Sequence, residues 1–409
     1  MPQRHPPLPE KSIDFITGIA RQVREYLLNL DRAEADALLG QLRERVEEEC
    51  SALSTLESHY TVLLERVAVS RDYQELAEIH GQLNSLEITR FEVVPSVPAL
   101  HYSCTRYRNH LAARTMALVE ADLTASGEGP APLPYALLSM GSDGRLEQTL
   151  ITDQDYLLVY ADGGAAGVDS YFAAFSAQLV DRLAEIGFKK CTGEIMPSNP
   201  TWRGSLQQWK RRILTIVCYE YDEYAKNLMD LIVLSDARFV AGERSLAEAL
   251  IVVIRDFERS YFQVIYGMAK AATEMKVGLS WFGRLWTEKK GAHQGEMNIK
   301  LLGWAALVMN VRILAVNHNI IETSTLQRID QLELVHSFSS EFATGLRSAY
   351  LLLTRLRIQL QIRELRGLQE DSYYLQPQTL SPREQEELRQ ALRRIEELQR
   401  IIHTNFTIV

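Results

Sequence analysis

The sequence predicts an α+β protein in which one small domain of strands and helices lies between two helical domains. Three observations predict it. Apolar residues recur at helical spacing over about residues 11–124 and again from 245 onward. Between these stretches the period changes to short apolar runs bounded by Gly, Pro and Asp, the pattern of buried strands. The 409 residues, 46% hydrophobic and 24% charged, are enough for two or three domains with cores of their own. The expected domains are 1–124, 125–244 and 245–409.

In the first domain Phe15, Ile19, Val23 and Leu27 lie four apart, as do Leu38, Leu42 and Val46. Each set therefore falls on one helix face. The run Arg43-Glu44-Arg45-Val46-Glu47-Glu48-Glu49 reads as a solvated face. Val94-Pro95-Ser96-Val97-Pro98 breaks the bundle, because proline lacks an amide hydrogen and drives the preceding residue out of the α region. One more helix follows over 101–124, and a Gly/Pro-rich loop, 125–134, opens the middle domain. There the apolar runs 135–140, 156–160 and 228–234 are expected strands, and 171–186 is an amphipathic helix stopped by Gly187. Helical periods then cover about 245–276, 296–318, 325–366 and 382–403, the third as two helices or one kinked helix. Ser381-Pro382-Arg383-Glu384 is a capping box with proline in the first turn, and 367–380 is a polar linker.

Composition excludes several classes of function. With 44 basic against 53 acidic residues the net charge is −9, whereas a duplex binder carries a basic excess to neutralise phosphates. No bulk nucleic-acid binding is expected, although a small anion can still find a local positive site. Cys50, Cys104, Cys191 and Cys218 are far apart with no C-x-x-C pair, so neither a zinc site nor a disulfide framework is expected. The N-terminus has no apolar signal-peptide core, and the longest apolar run, about 301–309, is short of the ~20 residues that span a bilayer. The expected location is the cytoplasm, without a membrane partner.

The chemistry is concentrated between Gly141 and Asp155. The order is a strand, a Gly141-Ser142 turn, a short helix, and Asp153-Gln154-Asp155 at the start of a second strand. Gly141 allows close approach of a ligand to the backbone. Ser142 and the amides after it open a helix, where N–H groups favour an anion such as phosphate. Asp153 and Asp155 are two apart on a strand, so both carboxylates point to one face. Two hard oxygen ligands beside a phosphate cradle suit Mg²⁺ bridged to a nucleoside triphosphate.

Ten residues separate Ser142 from Asp153, and this Gly-Ser…Asp-x-Asp arrangement resembles the DNA polymerase β-type nucleotidyltransferases. The longer string, Gly141-Ser-Asp-Gly-Arg145-Leu-Glu147-Gln148-Thr-Leu-Ile-Thr152-Asp153-Gln-Asp155, is similar to a narrower family related to protein-PII uridylyltransferase. Its motif runs G-S-x-G-R-x-E-Q-x-x-x-T-D-Q-D. The likeness continues in Gly193-Glu-Ile-Met196-Pro-Ser-Asn199-Pro200-Thr-Trp202 with Trp209, in Asp236-Ala-Arg238, in His293 through Lys300 with Arg312, and in Ser324-Thr325-Leu-Gln-Arg328. Asn298 stands where the family usually has Asp.

The resemblance implies a polymerase β-like domain followed by a helical substrate-binding domain. It further implies a transferase that moves a nucleoside monophosphate from an NTP to an acceptor hydroxyl and releases pyrophosphate, in a signalling role. Two Mg²⁺ ions are expected, held by Asp153, Asp155 and a third carboxylate. Asp230 and Asp236 are both candidates for the third, and the family's D-x-R favours Asp236. Gly141, Ser142 and Arg145 are the expected nucleotide-binding residues, with Arg145 either clamping the triphosphate or pairing with a nearby acid. A regulatory protein is one expected acceptor, and the helical domains are candidate surfaces for a homo-oligomer. The alternative is a nucleotide-binding regulator or interaction scaffold without catalysis. Glu147 and Gln148 are expected to brace the site, Trp202 and Trp209 to be core, and His293 and Lys300 either to reach the cleft or to remain a solvated pair.

Overall fold

The structure is a computed structural model describing residues 32–164, 167–218, 224–260, 262–280 and 282–408. The repeat Phe15, Ile19, Val23, Leu27 lies outside the described residues. The chain divides into two compact units, Met1–His59 and Tyr60–Val409. In the first, the described residues are helical.

The second unit begins in helix α1 (Arg32–Val69) and continues with α2 (Tyr73–Val93) and α3 (Val97–Ala125). The proline break falls where the sequence places it: α2 ends at Val93, and Ser96 caps α3 by accepting a bond from the Ala99 amide. A four-stranded sheet follows, built from β1 (Tyr135–Ser139), β3 (Tyr156–Tyr160), β5 (Arg203–Ser205) and β6 (Arg238–Gly242), in the order β5-β3-β1-β6. Strand β1 is antiparallel to β3, with Leu138 opposite Leu157, and antiparallel to β6 across a bulge at Leu137/Leu138. Strand β5 joins β3 in parallel. Between β1 and β3 lie the one-turn helix α4 (Gly141–Gly144) and the two-residue strand β2 (Asp153–Gln154), which pairs in parallel with β4 (Lys189–Lys190). Leu137, Leu138, Leu157, Leu158 and Val159 are fully buried, as strands covered on both faces must be. Helix α5 (Val168–Ile186) packs beneath α2 and α3, and Gly187 ends it at φ 111°, a conformation glycine adopts without penalty. Trp202 and Trp209 are both buried, 6.3 Å apart, as core residues.

One expected strand is a helix. Residues 228–234 belong to α7 (Tyr224–Leu234), which follows α6 (Leu206–Cys218). Leu231, Ile232 and Leu234 are buried while Met229 is 47% exposed, a one-sided helical pattern. A short apolar run does not by itself separate a strand from a buried helix. The outer strand of the sheet is instead β6, which begins two residues after Asp236.

Helices α8 (Arg244–Ser260), α9 (Phe262–Thr273), α10 (Ala305–Asn317), α11 (Thr325–Leu334), α12 (Ser340–Leu365) and α13 (Pro382–Asn405) form the rest, with β7 (Met297–Asn298) paired to β8 (Tyr374–Leu375). The period over 325–366 is thus two helices. The capping box at Ser381 and Glu384 is present. A π-helical turn, Lys300–Trp304, leads into α10. Together they make one stretch, Lys300–Asn317, that is long and apolar enough to cross a membrane, against the sequence expectation; 61% of it is buried inside the protein.

Candidate functional site

Asp153 and Asp155 are brought together as their spacing requires. Thr152, Gln154 and Tyr156 are buried while Asp153 and Asp155 are partly exposed, so the two carboxylates share the open face. The turn from Gly141 closes on them. The Met140 amide donates to the Asp155 carbonyl at 2.8 Å, and Gly141, at φ 57°, lies so close that a Cβ there would collide with the Asp155 carboxylate. Burial pushes the Asp155 carboxyl up to about 6; a hydrogen bond from the Cys191 thiol opposes that rise and the charge of Asp153 adds to it. A carboxylate that resists ionising, with backbone pressed against it and a second carboxylate on the same face, forms a site whose charge a cation would relieve.

The helix after Gly141 is a single turn, too short to carry a macrodipole of its own. The amides of Gly144, Arg145 and Glu147 bond back to Met140, Gly141 and Ser142. The first amides of a helical turn have no partner within it, so those of Gly141, Ser142 and Asp143 are the donors an anion would meet. Asp143 itself is buried and held by Arg238, which donates to its Oδ1 at 2.8 Å and its carbonyl at 3.2 Å. Sequence reasoning gave neither Asp143 nor Cys191 a role.

Asp236, the expected third metal ligand, is engaged by arginines. Its carboxylate is completely buried and ion-paired to three arginines: Arg145 at 2.6 Å, Arg328 at 2.9 Å, and Arg312 through both Nε and Nη2. Burial alone would raise its pKa, but the guanidiniums of Arg312, Arg145 and Arg328 outweigh that and hold it down at about 2. With both oxygens engaged it serves as the common anion of an arginine cluster. Asp230, on α7, does not join Asp153 and Asp155 either: among the described residues no group of three or more His, Cys, Asp or Glu side chains is arranged to hold a metal. Asp230 is helical and not on the strand expected over 228–234.

Arg145 is likewise an internal brace. It is 4% exposed and donates to Glu147 at 2.8 Å as well as to Asp236, which settles the two expectations for it in favour of pairing with acids. Glu147 also accepts the Thr325 amide at 2.6 Å, capping α11 from outside. The Gln148 carbonyl faces His101 Nδ1 at 2.8 Å; a carbonyl only accepts, so that nitrogen carries the proton and Nε2 accepts from Tyr350 at 3.0 Å. Arg108 donates to the carbonyls of Thr149 and Leu150. The motif from Arg145 to Leu150 is therefore fastened to α3 on one side and to α10, α11 and α12 on the other.

The C-terminal motif residues pair locally. His293 faces Glu296 at 2.8 Å and stacks on Tyr374, 3.5 Å between centroids. Lys300 donates to the Tyr373 hydroxyl at 2.9 Å, and Asn298 accepts the Leu301 amide at 2.9 Å. Asn298 thus acts as a hydrogen-bonded cap, a role its amide oxygen fills as well as a carboxylate would.

The carboxylate pair and the turn pressed on it thus belong to a small sheet followed in the chain by a helical region. Two family models match the chain: "Putative nucleotidyltransferase DUF294" over residues 82–223, and "Putative nucleotidyltransferase substrate binding domain" over residues 262–406. The chain belongs to this nucleotidyltransferase family. No curated protein matches it.

Proposed function

We propose that the protein is a Mg²⁺-dependent enzyme that transfers a nucleoside monophosphate from an NTP to an acceptor hydroxyl, with a polymerase β-like domain over 125–244 flanked by helical domains 1–124 and 245–409. The observation that carries this reading is the fit of Gly141 against Asp155, beside Asp153 on the same open face. Asp153 and Asp155 would hold Mg²⁺, which takes its remaining oxygens from phosphates and water. When bound, the ion offsets the charge that develops as the phosphoryl group moves. The amides of Gly141, Ser142 and Asp143 would orient the phosphates. The Arg145–Asp236 pair keeps the turn rigid, and the 262–406 region would present the acceptor, of which a regulatory protein with an accessible hydroxyl is one kind. A cytoplasmic, signalling setting belongs to the same proposal.

One observation favours a second reading. Among the described residues two carboxylates are assembled and not three, which suffices to bind a metal–nucleotide but leaves the second ion without its ligand. A nucleotide-binding regulator would need no more. Pyrophosphate release decides between them. Wild-type protein with each NTP, Mg²⁺ and lysate fractions as acceptor should release it, and Asp153→Asn with Asp155→Asn should abolish both release and Mg²⁺-dependent NTP binding. Nucleotide binding that depends on both aspartates with no release under any condition would establish the regulator.

A further inference from the structure

Below the arginine cluster lies a cavity of about 220 Å³, room for roughly seven water molecules. It is bounded by the end of α8, the end of α10 and the segment leading into α11. One side is apolar, formed by Val252, Val316, Ile320 and Ile321. The other carries Arg255, Asp256, Glu258 and Arg328. Neither Asp153 nor Asp155 borders it, so it is separate from the nucleotide site.

The polar side has a clear hydrogen-bond balance. Arg328 has engaged each of its nitrogens, on the Glu322 carbonyl, on Asp236 and on the Ser235 carbonyl. Arg255 uses Nη2 on the Ile321 carbonyl at 3.0 Å, which leaves Nε and Nη1 to be matched. Glu258 is 5% exposed, and its buried Oε1 has no hydrogen-bond partner. An unpaired polar atom in such a place costs on the order of 1–3 kcal/mol, so it calls for a ligand.

The sign of that ligand follows from the surroundings. Next to the cavity, the buried guanidiniums of Arg145, Arg312 and Arg328 are ion-paired to Asp236 and Glu147, and the cavity's own acids are Glu258 and Asp256, the latter exposed at its rim where water screens its charge. Burial drives Glu258 toward its protonated form, with a pKa raised to about 8. A protonated carboxyl and a guanidinium offer donors, and donors in a positive field select an anion. A cationic amine would meet Arg255 and Arg328 instead. The apolar wall opposite asks for a hydrocarbon body.

We infer that this cavity binds a small aliphatic carboxylate, its head between Arg255 and Glu258 and its chain against Val252, Val316, Ile320 and Ile321. The carboxylate forms a charge-assisted pair with Arg255 and accepts a hydrogen bond from Glu258.

Titration calorimetry on the full chain, with pentanoate as probe and pentylamine and inorganic phosphate as the other arms, tests this without any assay of nucleotide chemistry. Pentanoate should bind more tightly than either. Arg255→Gln, at a half-buried position, should weaken pentanoate by at least about tenfold. Glu258→Leu should weaken it too while leaving the fold intact, since an apolar side chain removes the unpaired atom. Preference for pentylamine, equal binding of phosphate, no binding at all, or pentanoate affinity untouched by Arg255→Gln would each overturn the assignment. A failure here says nothing of Asp153 and Asp155, and their failure says nothing of this cavity.

Discussion

Replacing Asp236 with Asn separates a structural anion from a metal ligand. The carboxylate is fully buried and pairs with Arg145, Arg312 and Arg328. Asn keeps the shape but removes the charge and turns an N–H group toward guanidinium donors. Breaking a buried pair by removing one partner costs about 3–5 kcal/mol, a large share of a total stability of about 5–15 kcal/mol. The thermal midpoint should fall by on the order of 10 °C. The pH profile supplies an independent check. A carboxyl lowered from 3.8 to about 2 on folding stabilises by roughly 2.5 kcal/mol. That contribution is fully present above pH 4 and is lost as pH falls from about 4 to 2, because the unfolded chain then binds the proton first. Urea midpoints between pH 2 and 6 should show the loss in wild type and a flatter curve in Asp236→Asn. The reasoning is refuted if the variant keeps the wild-type midpoint and pH profile while turnover drops by about 10³ or more, for then Asp236 acts on the reacting groups.

Two further outcomes are expected. Gly141→Ala places a Cβ against the Asp155 carboxylate at a φ of 57°; stability should fall by about 1–2 kcal/mol, and Mg²⁺-dependent NTP affinity, read by calorimetry, by more than about tenfold, whereas equal losses in metal-free protein would point to general unfolding. His80 is buried with Nδ1 on the Ile186 carbonyl, and burial lowers its pKa from 6.5 to about 3, with the charge of Arg108 adding to the effect. Its stabilising contribution is complete above pH 6.5 and declines below it, by about 2 kcal/mol at pH 5, a window in which Asp236 is ionised in both states; His80→Gln should flatten the urea-midpoint curve between pH 7.5 and 5, and an unchanged slope would show that His80 takes up its proton without unfolding.

What could be read from the sequence was what depends on near neighbours. Gly187, the Ser381 capping box and the proline break at 94–98 are local devices, and each ends or starts a helix where expected. The shared face of Asp153 and Asp155 follows from their spacing alone. Residues 228–234 were misread because seven apolar-rich positions carry too little period to distinguish helix from strand. The arginine cluster on Asp236 was not legible for a different reason. Its partners Arg312, Arg145 and Arg328 lie 76, 91 and 92 residues away, and no spacing rule connects charges at that range. The resemblance had already marked all four residues, but as separate motifs; that they meet at one carboxylate is a property of the packed helices.

The motif between Gly141 and Asp155 therefore contains two kinds of residue. Gly141, Asp153 and Asp155 face the open side, where chemistry can occur. Arg145, Glu147 and Gln148 face inward, each joined to a different helix: Arg145 through Asp236 to α10 and α11, Glu147 to the start of α11, and Gln148 through His101 to α12. Inward residues under such constraint are as hard to replace as those that touch a ligand, because each leaves a buried partner unpaired. This explains why the family string is fixed at so many positions when two carboxylates and a glycine would serve the metal. It also explains why the helical domain that follows is part of the same compact unit as the sheet. The turn that would meet phosphate is held in place by residues of α10, α11 and α12, so the 262–406 region contributes to the site's geometry.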